Sequence, residues 1–344
     1  VYNKLQNRDF IRIGKDIDVP LVGSIAFGVI DRGTNVIQVR ANSYCPLNCI
    51  FCSTDAGPKS RWRRCEYWVD KDLLVEWVKE IVKFKGKNVE VHLDSVGEPL
   101  MYDQLPDLIQ DIKAIPNVKV VSMQTHGSLL SYKYAEKLTS AGLDRINLSI
   151  DTLDPEKAKF LQGAEWYNVK RIAEIAEWII KNTNTDILLA PLLLPNINDN
   201  DIEEIIKWGI KIGVGKRFPP FGIQIYMRHK YGRHPKGVKV INLKQFERRL
   251  MLLEKKYGIK LRLREEDFGI ERTNSLPILF KEGEKLNVEI VAPGWLKNEW
   301  FAVPIGKEQT RVITVIGDGV QFGDKVKVKI IKNKHNIYLS KIIY

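Results

Sequence analysis

The chain has 344 residues, 44% of them hydrophobic, enough for one large core and a small second domain. No window approaches eighteen uncharged apolar residues, and no charged leader with an apolar core precedes a cleavage site, so neither a membrane span nor secretion is expected. The formal charge of +12 and pI near 9.3 favour an acidic partner, nucleic acid being the commonest, but a lysine-rich thermophile surface would give the same values.

In chain order, residues 35–40 read as a strand that runs directly into a loop holding Cys45, Cys49 and Cys52. Residues 70–85 carry apolar positions at helical spacing, and 89–93 is a strand ending at Gly97-Glu98-Pro99. A helix over 105–115 precedes a strand over 118–123 that ends at Thr125-His126-Gly127. Helix 132–141, strand 145–150 ending at Asp151, helix 169–181, strand 187–194, helix 200–212, strand 223–227 and helix 243–257 follow. This alternation predicts a parallel β/α sheet, either doubly wound or closed into a partial barrel of six units. In such folds chemistry gathers at the carboxyl ends of the strands, where every polar cluster above falls. After about residue 276 the pattern changes to short strands at 312–316, 325–331 and 336–342 with glycine turns between them, a small all-β barrel. The expected division is an N-terminal extension over 1–34, a β/α barrel over 35–275 and the small barrel over 281–344.

The sequence has four cysteines, three of them within eight residues, which is a metal site in a reducing cytoplasm rather than a disulfide framework. The spacing is C-x3-C-x2-C, with Phe51 before the last cysteine. Iron–sulfur clusters usually take four cysteines, so three in one loop leave an iron open for another ligand. The alternative is structural zinc, which wants a fourth Cys or His at matching spacing; Cys65, thirteen residues on, has no partner.

This motif resembles the signature of the radical S-adenosylmethionine (SAM) superfamily. The resemblance implies a [4Fe–4S] cluster on Cys45, Cys49 and Cys52, SAM on the open iron, and an electron donor such as ferredoxin or flavodoxin. Val96-Gly97-Glu98-Pro99 resembles the superfamily's GGE turn, which binds the methionyl amine. Gln124-Thr-His-Gly127, the run from Arg145 to Pro155, and Pro195-Asn-Ile-Asn-Asp199 resemble the molybdopterin-precursor cyclase branch. There the positions matching Thr125 and Ser149 contact SAM. Asp151 is placed to reach a ribose hydroxyl, though it would equally cap a helix. Two departures argue against molybdopterin chemistry itself: Leu188 stands where the branch has a basic residue, and no cysteine follows Cys65. The chain is also similar to uncharacterised archaeal iron–sulfur oxidoreductases.

The segment from Glu308 to Ile316, then Gly323 to Ile330, resembles a TRAM domain, a small OB-like barrel found on RNA-modifying enzymes. Lys325, Lys327 and Lys329 alternate with apolar residues, giving one basic and one buried strand face. From Lys307 on the net charge is +5, suited to phosphates or to protecting an edge strand. Two further stretches interleave cations with aromatics: Arg61, Arg63 and Arg64 beside Trp62, and Arg228, Lys230 and Arg233 beside Tyr231. Both are expected at the mouth of the site, as an RNA-binding rim or as ordinary surface. Cys65 is a catalytic candidate only as the one thiol left over. The expected activity is radical modification of a nucleoside in tRNA or rRNA. The alternatives are a maturase for a peptide, lipid or cofactor whose barrel docks a protein, and a non-catalytic iron–sulfur RNA-binding protein.

Overall fold

The computed structural model describes residues 2–3, 8–15, 17, 19–307 and 311–343. Residues 308–310, which open the TRAM-like motif, lie outside the described residues, as do residues 1, 4–7, 16 and 18 of the N-terminal extension. Short strands β1 (Tyr2–Asn3) and β2 (Arg8–Ile13) precede β3 (Gly28–Asp31), β4 (Val36–Arg40) and β5 (Cys65–Val69). The β/α repeat follows as α1 (Lys71–Lys85), β6 (Val89–Leu93), α2 (Leu105–Lys113), β7 (Val118–Thr125), α3 (Tyr132–Ser140), β8 (Arg145–Leu148), α4 (Pro155–Gln162), α5 (Val169–Asn182), β9 (Asp186–Leu189), β10 (Leu192–Leu193), α6 (Asp199–Ile212), β11 (Gln224–Ile225) and α7 (Leu243–Tyr257). The last five strands are β12 (Lys285–Pro293), β13 (Glu299–Pro304), β14 (Ile313–Ile316), β15 (Lys325–Lys332) and β16 (Leu339–Ile342).

The main sheet runs β3-β4-β6-β7-β8-β9, with β3 antiparallel at one edge and the other pairings parallel. A bridge from Leu189 to Phe221 and the parallel pair β10–β11 carry the curvature to a sixth parallel position. This is the partial β/α barrel that the alternation predicts. Pro191, which has no N–H to give, separates β9 from β10 where one strand over 187–194 is expected.

Side-chain alternation explains the two faces. Val39, Leu93, Met123, Ile146 and Ile187 stand in register across β4, β6, β7, β8 and β9, all buried under the helices. The helices answer with apolar stripes, such as Ile172, Ile175, Ala176 and Ile179 of α5. One residue earlier in each of β4, β6, β7 and β8 the register is polar: Gln38, His92, Ser122 and Arg145 face the barrel interior side by side. Arg145 there meets Glu90 at 2.6 Å, and Ser122 bonds both Glu90 and His92.

The C-terminal strands close a separate barrel in the order β12-β13-β14-β16-β15 around Val288, Ile290, Ile313, Val315, Val328 and Ile330. It is fused to the β/α unit rather than hung from it. Arg64 N–H donates to Trp295 O at 2.9 Å, Cys65 Sγ to Gly294 O at 3.1 Å, and the Tyr67 hydroxyl to Pro293 O. Phe27, Tyr67 and Phe301 stack with ring centroids 4.8 to 5.4 Å apart.

Candidate functional site

The cysteine loop leaves β4 at the carboxyl end of the sheet and is held from several sides. Asn48 and Ile50 donate N–H to Gln162 O and Leu161 O at the end of α4. Glu98 N–H donates to Tyr44 O at 2.8 Å. Buried Arg63 donates to Ser43 O at 2.6 Å, to Glu66 at 3.0 Å and to Val96 O. Arg8 adds a second pair to Glu66 at 3.1 Å, so a carboxylate with no solvent exposure is balanced by two guanidiniums. Gly97 is required by packing: a Cβ there would lie 2.2 Å from Tyr44 O and 2.3 Å from Ser43 O. The close approach that the glycine permits is therefore that of the cysteine loop itself.

A cleft of about 530 Å³ opens over this loop. Cys49, Phe51, Cys52, Gly97, Glu98, Thr125, Ser149 and Asp151 all line it, so residues from four strand ends meet where a single site is expected. Cys45 and Cys49 are buried and Cys52 is half-buried. Ala56 N–H donates to Cys52 Sγ at 3.2 Å, and Cys49 Sγ contacts Gln162 Oε1 at 2.8 Å. Burial drives the Cys45 and Cys49 thiols up from their ordinary range. No three His, Cys, Asp or Glu side chains among the described residues converge on a single-ion position. The set has three sulfur donors in one loop and N–H donors toward sulfur, which fits an iron–sulfur cluster.

Several expected contacts are already engaged within the protein. Glu98, 1% exposed, accepts from the Thr125 hydroxyl at 2.6 Å, Leu100 N–H at 3.2 Å and His126 N–H at 3.1 Å. Burial raises its pKa against these donors. The Thr125 hydroxyl also accepts Gly127 N–H at 2.9 Å, so it holds the turn together. Asp151 accepts Leu192 N–H and the Gln162 amide, each at 2.8 Å, tying β8 to β10 and α4 rather than capping a helix. Ser149 accepts from Gln124 at 2.5 Å and keeps its own hydroxyl proton for the cleft.

Sequence reasoning missed several polar residues that line the cleft, His92 of the inner face among them. His126 sits beside Phe51, its Nδ1 3.0 Å from Ser149 O and its Nε2 3.9 Å from Cys49 Sγ. Arg40 and Asp94 form a bidentate pair at 2.8 and 2.9 Å, with Gln38 on the same carboxylate. Burial pushes Asp94 up, and Arg40 outweighs it, holding the carboxyl below its usual range. A larger cavity of about 970 Å³, walled by α7 and residues 258–263, contains no cysteine but shares Gln124, Ala190 and Gln224 with the cleft. Leu188 lines it.

The basic rim needs correction. Arg63 is 2% exposed and fully used by internal acceptors, so it cannot meet a phosphate. Arg64 lies over the Trp300 ring at 4.1 Å and serves the junction with the small barrel. Arg233 turns inward to Asp55 at 2.8 Å. Arg61, Arg228 and Lys230 are exposed. Cys65 is buried in β5, bonded to Gly294 O, with its thiol pushed up to about 12 by burial. It lines no part of the cleft, so the structure does not place it as a nucleophile.

A family model described as the radical SAM superfamily matches residues 41–209, the segment that supplies most of this cleft. The chain belongs to the radical SAM superfamily. An uncharacterized protein of Methanocaldococcus jannaschii is 42% identical across 99% of this radical SAM chain and 82% of its own length. A probable GTP 3′,8-cyclase of Methanococcus aeolicus is 32% identical over 178 residues, 49% of this chain and 55% of the cyclase, so the chain spans about half of that relative. Among solved structures, the FeFe-hydrogenase maturase HydG from Carboxydothermus hydrogenoformans superimposes with a TM-score of 0.51 at 15% identity, covering 64% of this chain and 50% of HydG. That likeness is one of fold. Membership brings a [4Fe–4S] cluster, SAM and the need for an electron donor. No helix among the described residues is long and apolar enough to cross a membrane.

Proposed function

We propose that this radical SAM enzyme acts on a nucleoside within tRNA or rRNA. Cys45, Cys49 and Cys52 hold its cluster, and the cleft beside Ser149 and His126 holds SAM. When bound and reduced by one electron, these cofactors supply a 5′-deoxyadenosyl radical that takes a hydrogen atom from the substrate. The chain's own part is to bind, orient and shield. The polar rung of Gln38, His92 and Arg40 with Asp94 gives the cleft a floor of fixed hydrogen-bonding groups.

The observation that carries the RNA reading is the meeting of two distant segments beside the cysteine loop, where Gly232 packs on Ser53 and Arg233 N–H donates to Cys52 O. Trp62 and Tyr231 are both exposed and pack edge to face with centroids 5.4 Å apart. Lys230 lies 4.9 Å over the Tyr231 ring, and Met227 and His229 line the cleft itself. Exposed aromatics with cations suit an unstacked base better than a folded protein surface. The small barrel supports the same reading. Lys285, Lys329 and Lys341 stand directly opposite one another on β12, β15 and β16, with Lys325 and Lys327 on the same exposed strand. Like charges in register destabilise a sheet unless an anion joins them. That row of lysines supports reading the barrel as TRAM-like and suited to phosphates. The similarity to the GTP 3′,8-cyclase extends over only about half of each chain, and this sequence has no cysteine after Cys65 for a second cluster, so cyclase chemistry is not carried over.

The test is 5′-deoxyadenosine release by the reduced, reconstituted enzyme, comparing total tRNA, rRNA and a tryptic peptide pool as substrates. Stimulation by RNA, with a new nucleoside mass in the digested RNA, is expected. Stimulation by peptides alone would replace RNA with the maturase reading. Deleting the small barrel is the wrong perturbation, because it strips the partners of Arg64, Cys65 and Tyr67 and opens the core.

A further inference from the structure

One side chain ties the cysteine loop to the loop beyond β11. Arg233 Nη1 donates to Cys49 O at 3.0 Å, Nη2 to Ala56 O at 2.5 Å and Nε to Asp55 Oδ1 at 2.8 Å. Its own backbone N–H donates to Cys52 O at 2.8 Å. The planar fork of guanidinium donors lets one residue span three acceptors at once, which a lysine ammonium cannot reproduce. The adjoining Gly232 packs so closely that a Cβ would lie 3.1 Å from the backbone of Ser53.

Asp55 completes the joint. It is 2% exposed, and its second carboxylate oxygen accepts from the Ser60 hydroxyl at 3.0 Å, Arg61 N–H at 2.6 Å and Trp62 N–H at 3.0 Å. A single ion pair, its carboxylate buried and its guanidinium half-buried, therefore connects the aromatic rim, Trp62 and Tyr231, to carbonyls of the cysteine loop.

We infer that Arg233 is a positioning residue for the cluster: it fixes the carbonyls of the loop that bears the three cysteines and sets beside them a positive charge that makes the cluster easier to reduce. A cluster on three thiolates carries negative charge, and reduction adds one electron to it. A fixed cation nearby favours the reduced form, because cluster potentials follow local charge, hydrogen bonding and exposure. Asp55, bonded to the same guanidinium, opposes that effect while holding the side chain in place. The inference rests on the assignment of Cys45, Cys49 and Cys52 to the cluster.

The experiment uses the full-length protein, reconstituted anaerobically as wild type, Arg233→Lys, Arg233→Gln, Asp55→Asn and Cys49→Ala. Iron and sulfide are counted, and the ratio of reduced to oxidised cluster is read by electron paramagnetic resonance at fixed solution potentials. Arg233→Gln is expected to lower that ratio at least tenfold, equivalent to about 59 mV for a one-electron couple. Arg233→Lys keeps the charge and stays within threefold of wild type, but loses iron faster to a chelator. Asp55→Asn removes the opposing charge and raises the ratio. A wild-type ratio in Arg233→Gln, or a lowered ratio in Asp55→Asn, would overturn the inference. If Arg233→Gln retains no iron, the Lys and Asn variants decide by the same signs. Full iron in Cys49→Ala would refute the cysteine assignment instead, so the two failures are told apart.

Discussion

Gly97→Ala separates two roles for the turn after β6. If the glycine matters only because SAM approaches its backbone, alanine weakens SAM binding and leaves the metal site intact. The structure predicts otherwise, because the added Cβ would lie 2.2 Å from Tyr44 O and 2.3 Å from Ser43 O, both backbone atoms of the cysteine loop. Real carbon–oxygen contacts do not come below 3.0 Å, so the loop must retreat by nearly an ångström. Such a retreat strains the Glu98 N–H to Tyr44 O bond and draws Ser43 O away from Arg63. Overpacking of this kind costs about 1–3 kcal/mol, and a backbone clash that cannot be relieved by rotating a side chain belongs at the upper end. The expected outcome is loss of at least half of the iron after reconstitution, together with a lower urea midpoint for the metal-free protein. Full iron content, an unchanged midpoint and a raised SAM dissociation constant would refute the packing argument.

Three further outcomes follow from the geometry. Cys65→Ser should keep iron content and SAM cleavage at wild-type levels, because the thiol points into the barrel junction. With its pKa pushed to about 12, Cys65 should react with iodoacetamide at pH 8 at roughly a ten-thousandth of the rate of its thiolate, rising tenfold per pH unit. Mass spectrometry of the modified thiol checks both. Trp62→Ala and Tyr231→Ala should each weaken RNA binding by about 1–3 kcal/mol without changing circular dichroism, and unchanged affinity would remove the stacking rim. Replacing Lys285, Lys329 and Lys341 together by alanine should flatten the salt dependence of RNA affinity by about 2 in log–log slope, at roughly 0.7 per lost phosphate contact. An unchanged slope would assign those lysines to edge protection.

Much of this architecture is legible in the chain order. The strands at 36–40 and 89–93 and the helices from 71, 105 and 169 stand out because their apolar residues bury on one side. The cysteine spacing points directly to the cluster because it is local chemistry in one loop. What escaped was long-range. β5 reads as a basic surface run, since Arg63, Arg64 and Glu66 look solvated until Glu66, Arg8 and Arg63 meet across the fold. The polar inner face of the barrel was also there to be read: Val-Glu-Val-His-Leu in β6 alternates, as an interior that must hold water and cofactor requires, rather than running apolar. That alternation would have brought His92, Gln38 and Arg40 into the site. His126 has no sequence signal of its own, because in Gln124-Thr-His-Gly127 the resemblance points to Thr125 as the contact. Arg233 could not be told from its exposed neighbours, because the direction of a side chain after a strand depends on Asp55, far away in sequence.

The support around the cysteine loop has a further consequence. The loop is fixed by α4 through Asn48 and Ile50, by the β6 turn through Gly97 and Tyr44, by β5 through Arg63, and by the β11 loop through Arg233. None of these contacts uses a cysteine sulfur, so the backbone that presents the three thiols does not depend on metal for its shape. A preorganised site of this kind binds its group at little conformational cost. The same arrangement means that the small barrel acts on the site even where it touches no substrate. Its Pro293, Gly294 and Trp295 carbonyls clamp β5, β5 carries Glu66, and Glu66 holds the two arginines that brace the loop. The buried Trp295 ring adds to this brace, with the Arg63 guanidinium 4.8 Å from its centroid, so Trp295→Ala is expected to lower iron loading with every basic residue of the barrel intact. Iron content measured beside RNA affinity would show the two losses to be separate, and loss of RNA binding with full iron would break this chain of support.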